Sequence, residues 1–346
     1  MFGLALACAA IGAACSCESE KKPERKPAKT TARNVVIVLI DTLRADKLGC
    51  YGNTLGLTPN IDQIASEGFR FDQAFSHAPW TLPATASLLT SSYPQQHGAG
   101  QKRKGSTSNF DFTGLAPDVR TIAECYYDQG FDTHAIVNVL FLAPKKFGID
   151  RGFSSFDFKA QDKTQTDHRR ATDVTDLAIS WIKHHQESSD RPFFLLVHYF
   201  DPHLKYDPPA EFRKRFALPQ DQQPDPTLFG SESDMINFRN GVLPASQIPI
   251  KRLEALYNGE VAYTDEQVGR LWNEIKKMGI GDRTVMALTA DHGEEFFDHD
   301  GFEHGHTLYD EMIRVPLVLW GPEAVKPGMS KTAVGHVDVA NVVRAV

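Results

Sequence analysis

Three apolar runs in this chain end on residues that can do chemistry. "NVVIVLI" is followed by Asp41, "FFLLVHYF" by Asp201 and His203, and "TVMALTA" by Asp291 and His292. A lone Asp after a strand is ordinarily a cap or turn residue, but three such endings that converge make a ligand set. Hard carboxylate oxygens with a borderline imidazole nitrogen suit one divalent ion: Ca, Mg, Mn or Zn. A fourth stretch, "SHAPWTLPATASLLTSSYPQQHG", sets the Thr81 hydroxyl just ahead of a helix expected from about Pro83. Two readings of Thr81 are open. It caps the helix, or its hydroxyl joins the ion as an activated nucleophile, beside backbone N–H groups that favour an anion. A hydroxyl, a cation and a helix start together suit attack on a tetrahedral oxyanion ester, phosphate or sulfate.

These residues need a scaffold that brings them to one edge. The run "NVVIVLI" is continuous and β-branched, the mark of a strand buried on both faces. Helix patterns alternate with such runs. "TPNIDQIASEG" has a Thr cap, a Pro in its first turn and a Gly stop. "DVRTIAECYYDQG" and "ATDVTDLAISWIKHH" follow, then a long helix from about Lys251 to Met278, while "THAIVN" and "VPLVLW" add strands. The alternation predicts an α/β fold: a doubly wound, mainly parallel sheet with helices on both faces. Ligands of such sheets sit beyond the carboxyl ends of the strands, where Asp41, His203, Asp291 and His292 fall.

The blocks "NVVIVLIDTLRADKLGCYGN", "TPNIDQIASEGFRFDQAFS", "TLPATASLLTSSYPQQHG", "FDPHLKYDPP", "TADHGEEFFDHDG" and "TLYDEMIRVPLVLWGP" keep a fixed order from Asn34 onward. In that order they resemble the sulfatase family of the alkaline phosphatase superfamily. The resemblance implies a hydrolase of sulfate or phosphate esters on a metal-bearing α/β sheet. It puts Asp41, Asp291 and His292 on metal-ligand positions and His203 near the substrate's oxygens or leaving group. Thr81 falls on the nucleophile position, in Thr81-Leu82-Pro83-Ala84-Thr85, where the family has C/S-x-P-S-R.

Departures from the family pattern shape the expected chemistry. No formylglycine is expected, because the β-carbon of a Thr already carries a methyl group. Thr85 replaces the motif arginine, Thr42 the second Asp of an early pair, and the Lys and His of a G-K-x-H block are absent from "IVNVLFLAP". His304 and His306, in "EHGHTLY", lie where a substrate-binding lysine is usual. With Thr85 they are the implied substrate contacts, and the two imidazoles leave room for a second metal. Superfamily members that resemble nucleotide phosphodiesterases and phosphoryl-group transferases use an unmodified Thr and pass through phosphothreonine. A catalytically inactive, glycan-binding relative is the other reading.

The remaining sequence bounds the setting. With 346 residues and a formal net charge of −7, the chain lacks the basic face that nucleic acid requires. Its partner is expected to be an anionic ester: a sulfated or phosphorylated small molecule, glycan or lipid. No apolar run reaches the roughly 18 residues that span a bilayer. Residues 1–17, "MFGLALACAAIGAACSC", read as an export signal of lipoprotein type, with a lipid anchor through Cys15. The expected location is periplasmic, or membrane-anchored as a lipoprotein. Residues 18–33 read as a charged, Pro- and Lys-rich linker. Residues 34–346 read as a sulfatase-like catalytic domain, C-terminally incomplete because relatives continue into a smaller subdomain.

Cys50 and Cys125, the cysteines of the body, read as two buried thiols rather than a bridge. His97 reads as structural, His184 and His185 as a helix end, and His299 as a surface residue. "QKRKGSTSN" reads as a solvated basic face. The long loop from Asp207 reads as a lid.

Overall fold

The computed structural model describes residues 33–103, 110–159, 169–218, 234, 237–238 and 240–345. The central sheet has eight strands. They are β1 (Asn34–Ile40), β2 (Phe69–Phe71), β3 (Asp132–Val137), β4 (Ser155–Phe158), β5 (Phe193–Tyr199), β6 (Thr284–Ala290), β7 (Leu317–Trp320) and β8 (Gly328–Ser330). Their spatial order is β8-β2-β7-β6-β1-β5-β3-β4. All run one way except β7, which is antiparallel to β6 and β2. The expected mainly parallel sheet is therefore present. Composition marked "VPLVLW" as a strand, but direction depends on the connection that delivers it.

Every residue of β1, β5 and β6 is buried, so both faces of the sheet are covered. The covering helices are α1 (Pro59–Glu67), α2 (Thr81–Thr90), α3 (Ile122–Asp128), α4 (Ala171–Ser188), α5 (Ile250–Lys277) and α6 (His336–Ala345). One group is α5 with α1 and α4; the other is α2 with α6 and α3. The Thr cap expected for α1 is not what forms. Thr58 occupies the N-cap position without capping; its hydroxyl donates to Asp62 at 3.1 Å and accepts from the Gly49 N–H at 3.0 Å. Asp265, on α5, instead accepts from the N–H groups of Asn60 at 3.1 Å and Ile61 at 2.7 Å. One side chain thus satisfies two open donors of α1 and ties two helices together.

Cys50 and Cys125 are free thiols, each half-buried. His97 is buried, with Ser87 Oγ 3.1 Å away, and accepts from the Ala99 N–H. Of the basic stretch, the first residues form a strand, Gly100–Arg103, that pairs with Phe110–Thr113. Residues 104–109, most of the loop read as a lid, and the leader and linker up to residue 32 lie outside the described residues. Among the described residues no helix is long and apolar enough to cross a membrane.

Candidate active site

Strand register builds the site. Ile40 pairs with Tyr199 on one side and Ala290 on the other, so Asp41 and Asp291 leave adjacent parallel strands side by side. The Asp41 N–H still donates to the Tyr199 carbonyl at 2.9 Å. Thr42 then turns the chain with φ 54°, a left-handed conformation that β-branched residues rarely adopt. That turn lets the Thr42 N–H donate to Asp291 Oδ1 at 3.2 Å. The same oxygen accepts from the His292 N–H at 2.8 Å.

His292 is the hinge of the group. Its Nδ1 lies 2.9 Å from the Gly293 carbonyl and donates to it, which turns Nε2 inward. Nε2 lies 3.6 Å from Asp41 Oδ1, 3.5 Å from Asp291 Oδ2 and 3.4 Å from Thr81 Oγ1. Two carboxylates facing one point beside this nitrogen need a positive charge there. Both Asp41 oxygens and Asp291 Oδ2 are buried without a hydrogen-bond partner, the state expected of oxygens shaped for a cation. The donor set therefore fits a divalent metal.

Thr81 is the first residue of α2, not its cap. Trp80 holds the N-cap position in extended conformation (φ −161°, ψ 158°) and makes no side-chain cap bond. Pro83 has no N–H, and the Ala84 N–H is taken by the Trp80 carbonyl at 3.3 Å. Thr81 and Leu82 are left to offer backbone N–H groups at the helix start. Thr85 sits one turn further on, fully buried, its hydroxyl without a partner.

His198 completes the first group, and the sequence reading passed over it. It lies inside β5, opposite Leu39, with Nε2 3.4 Å from Asp41 Oδ2 and no solvent exposure. Asp41, His198 and Asp291 each offer a ligand atom within 4.8 Å of the others. The available signal was an imidazole inside an otherwise apolar strand. Charge is shared unevenly here. Burial raises the Asp41 carboxyl, but His198, His203 and His292 outweigh it and hold Asp41 well below the usual range. Burial, and then Asp41, push Asp291 up to about 7. Burial works against the charged form of His292, yet Asp291 and Asp41 raise it overall.

A second imidazole group adjoins the first. The His304 ring centre is 4.5 Å from that of His292 and 5.0 Å from that of His203. His203 is buried, stacks on Phe200 and has Nδ1 2.5 Å from the Leu204 carbonyl. His304 Nδ1 lies 2.9 Å from Glu294 Oε1, and the Tyr206 hydroxyl donates to Glu294 Oε2 at 2.8 Å. Burial, and His292 beside it, hold His304 well below the ordinary imidazole range. Glu294, another residue the sequence reading left without a role, is fully buried and pushed up to about 7 by that burial. His306 joins a different group, with Nε2 2.8 Å from Glu295 Oε2.

Thr81, Asp41, Asp291, His292, His203 and His304 thus gather at the carboxyl ends of β1, β5 and β6 and the start of α2. The family model described as Sulfatase matches residues 33–343. Iduronate 2-sulfatase of Homo sapiens is 26% identical over an aligned length of 343, and the match covers 85% of this chain and 60% of that protein. An arylsulfatase of Clostridium perfringens is 25% identical over 344 residues, 84% of this chain and 68% of its own. The phosphonate monoester hydrolase of Agrobacterium radiobacter shares the fold, with a TM-score of 0.65 at 22% identity over 91% of this chain and 74% of that one. With a family match that runs from the first described residue almost to the last, this chain belongs to the sulfatase family.

Proposed function

We propose that this protein is a metal-dependent hydrolase of sulfate or phosphate esters in which Thr81 is the nucleophile. One observation carries the reading: Thr81 Oγ1 lies 3.4 Å from His292 Nε2, which itself faces two carboxylates with unpartnered buried oxygens. Asp41, Asp291, His292 and Thr81 would hold one divalent ion, Ca, Mg, Mn or Zn, with His198 as a further donor. Bound there, the ion supplies Lewis-acid polarisation of the hydroxyl and of the ester oxygens. The Thr81 hydroxyl gives up its proton to solvent, and its oxygen forms a bond to sulfur or phosphorus as the bond to the leaving alcohol breaks. His203 supplies the proton that the alcohol takes away. The Thr81 and Leu82 N–H groups and the Thr85 hydroxyl meet the non-bridging oxygens, and His304 accepts a hydrogen bond from substrate. Water then displaces the sulfuryl or phosphoryl group from Thr81. An acceptor alcohol in place of water turns the same site into a phosphoryl transferase.

The substrate is an anionic ester, a sulfated or phosphorylated small molecule, glycan or lipid. The leader and Cys15 support export, with the enzyme periplasmic or held at a membrane by a lipid anchor. The test is turnover of aryl sulfate, aryl phosphate and a phosphodiester with each of the four ions, in parallel with Thr81→Ala. Full activity in the variant removes the nucleophile role. No turnover by the intact protein with any pairing favours the glycan-binding reading.

A further inference from the structure

Beyond β5 the chain runs from Asp201 to Asp207 as a strap that carries His203. Both ends of the strap are gripped by one face of α5. The Thr264 hydroxyl donates to the Asp201 carbonyl at 3.3 Å, and Glu260 Oε1 accepts from the Asp207 N–H at 2.7 Å. Residues 260 and 264 are one turn apart, so their side chains lie on the same side of the helix. Between the two anchors Tyr206 packs edge-on against Tyr257, a turn earlier on α5, with ring centres 5.6 Å apart.

Glu260 is a costly choice of anchor. It is fully buried in mid-helix, and its Oε2 has no hydrogen-bond partner. Burial, and then Asp201, push its carboxyl well above the ordinary range, so the neutral acid is the favoured form. An apolar side chain would fill the same space without the desolvation cost. What the carboxyl adds is an acceptor for one backbone N–H, that of Asp207, four residues after His203. Asp201 is tied down as well: its Oδ2 accepts from the Ala171 N–H, at the start of α4, at 2.6 Å. His203 bonds to its own neighbours, its N–H donating to the Phe200 carbonyl at 2.8 Å and its Nδ1 lying 2.5 Å from the Leu204 carbonyl. The ring therefore goes where the backbone goes, and the backbone follows its two ends.

We propose that Glu260 is a positioning residue: through the Asp207 N–H it sets the strap, and with it the angle at which His203 meets the leaving alcohol. Thr264 fixes the opposite end. The inference rests on His203 as the proton donor of the proposed reaction. Glu260 acts through Asp207, not on the ester.

The test uses the full, metal-loaded chain and two esters of the same acid, 4-nitrophenyl and 2-phenylethyl. The nitrophenolate leaves without a proton, whereas the alkyl alcohol needs one. Glu260→Leu is expected to lower kcat for the 2-phenylethyl ester about tenfold or more, with the 4-nitrophenyl ester within about twofold and KM little changed on either. Glu260→Gln keeps an acceptor for the Asp207 N–H and is expected to stay within about twofold on both. In a His203→Ala background, which is expected to show the same selectivity, Glu260→Leu should add no further loss. Thr264→Val, nearly isosteric, should give the same selectivity on a smaller scale and serves if Glu260→Leu does not fold. Unchanged kcat, equal losses on the two esters, a Glu260→Gln variant as impaired as Glu260→Leu, or losses that multiply with those of His203→Ala overturn the positioning role alone. A His203→Ala variant that treats both esters alike, or a wild-type protein that turns over neither, removes the proton-donor reading and this inference with it.

Discussion

Nε2 of His198 and Oδ2 of Asp41 lie 3.4 Å apart on neighbouring parallel strands, and neither side chain is reached by solvent. Neither nitrogen of His198 has a hydrogen-bond partner. An imidazole left this way in a strand interior is costly unless something occupies its lone pair. His198→Ala is therefore expected to lower the affinity for the active-site ion by about 10–100-fold. Calorimetric titration of Mn2+ or Zn2+ into chelator-stripped protein reads the effect. Unchanged affinity reduces His198 to a packing residue.

Thr81 lies at a helix start, yet its hydroxyl turns toward His292 rather than toward its own helix. A nucleophile and a helix cap respond differently to substitution. Thr81→Ser keeps the hydroxyl and is expected to retain turnover within about tenfold, whereas Thr81→Ala should lose on the order of 10³-fold in kcat with little change in stability. Acid-quenched digests of the wild-type protein and of the Thr81→Ser variant should carry a phosphoryl or sulfuryl group on the peptide that contains residue 81. A Thr81→Ala protein that loses stability but keeps kcat would return the residue to a structural role.

Asp291 is pushed up to about 7 by burial and by Asp41, while Asp41 is held well below the usual carboxylate range. In the metal-free protein one proton therefore stays on Asp291 into neutral pH. A cation has to displace that proton, and the one that Asp291 and Asp41 favour on His292, so its affinity should climb with pH through about 7. Titrations at about pH 6 in two buffers of different ionisation enthalpy should report proton release that diminishes as pH rises. Asp291→Asn should bind weakly and with a shallower slope. A flat affinity profile in the wild-type protein sinks the argument.

Much of the site was legible because buried parallel strands read as unbroken apolar runs. Where each run stops, the next residue sits at the sheet edge, and that placed Asp41, His203, Asp291 and His292 without any knowledge of packing. His198 was hidden for the same reason. A reading that looks past the strand ends does not look inside them, and one polar letter within "FFLLVHYF" leaves the strand pattern intact. Glu294 and Glu295 show a second limit, since which of two adjacent carboxylates faces the site depends on the pleat. His304 and His306 divide in the same manner, one toward Glu294 and one toward Glu295. Thr81 was expected just ahead of a helix, and the helix in fact begins on it, because the extended Trp80 takes the cap position. The cap of α1 is a further case: the local signal named Thr58, but the group that satisfies the helix is Asp265, which lies 205 residues beyond Asn60 in the chain.

That long-range cap makes the last prediction. Asp265 is almost wholly buried, and burial pushes it up to about 6, although the Ile61 and Asn60 groups that bond its charged form act the other way. A carboxyl whose folded pKa lies above its unfolded one stabilises the protein fully below the unfolded value of about 4 and loses that contribution as pH rises through about 6. Relative to Asp265→Asn, which has no proton to lose, the wild-type protein should therefore lose stability between about pH 4 and about pH 6. Asp265→Ala removes the acceptor for both α1 donors and should cost about 1–2 kcal/mol at neutral pH. Denaturant unfolding of the three proteins across this range measures both effects. A stability difference between wild type and Asp265→Asn that stays constant with pH would show that the carboxyl is not shifted, and an Asp265→Ala variant as stable as wild type would show that α1 draws its cap from elsewhere.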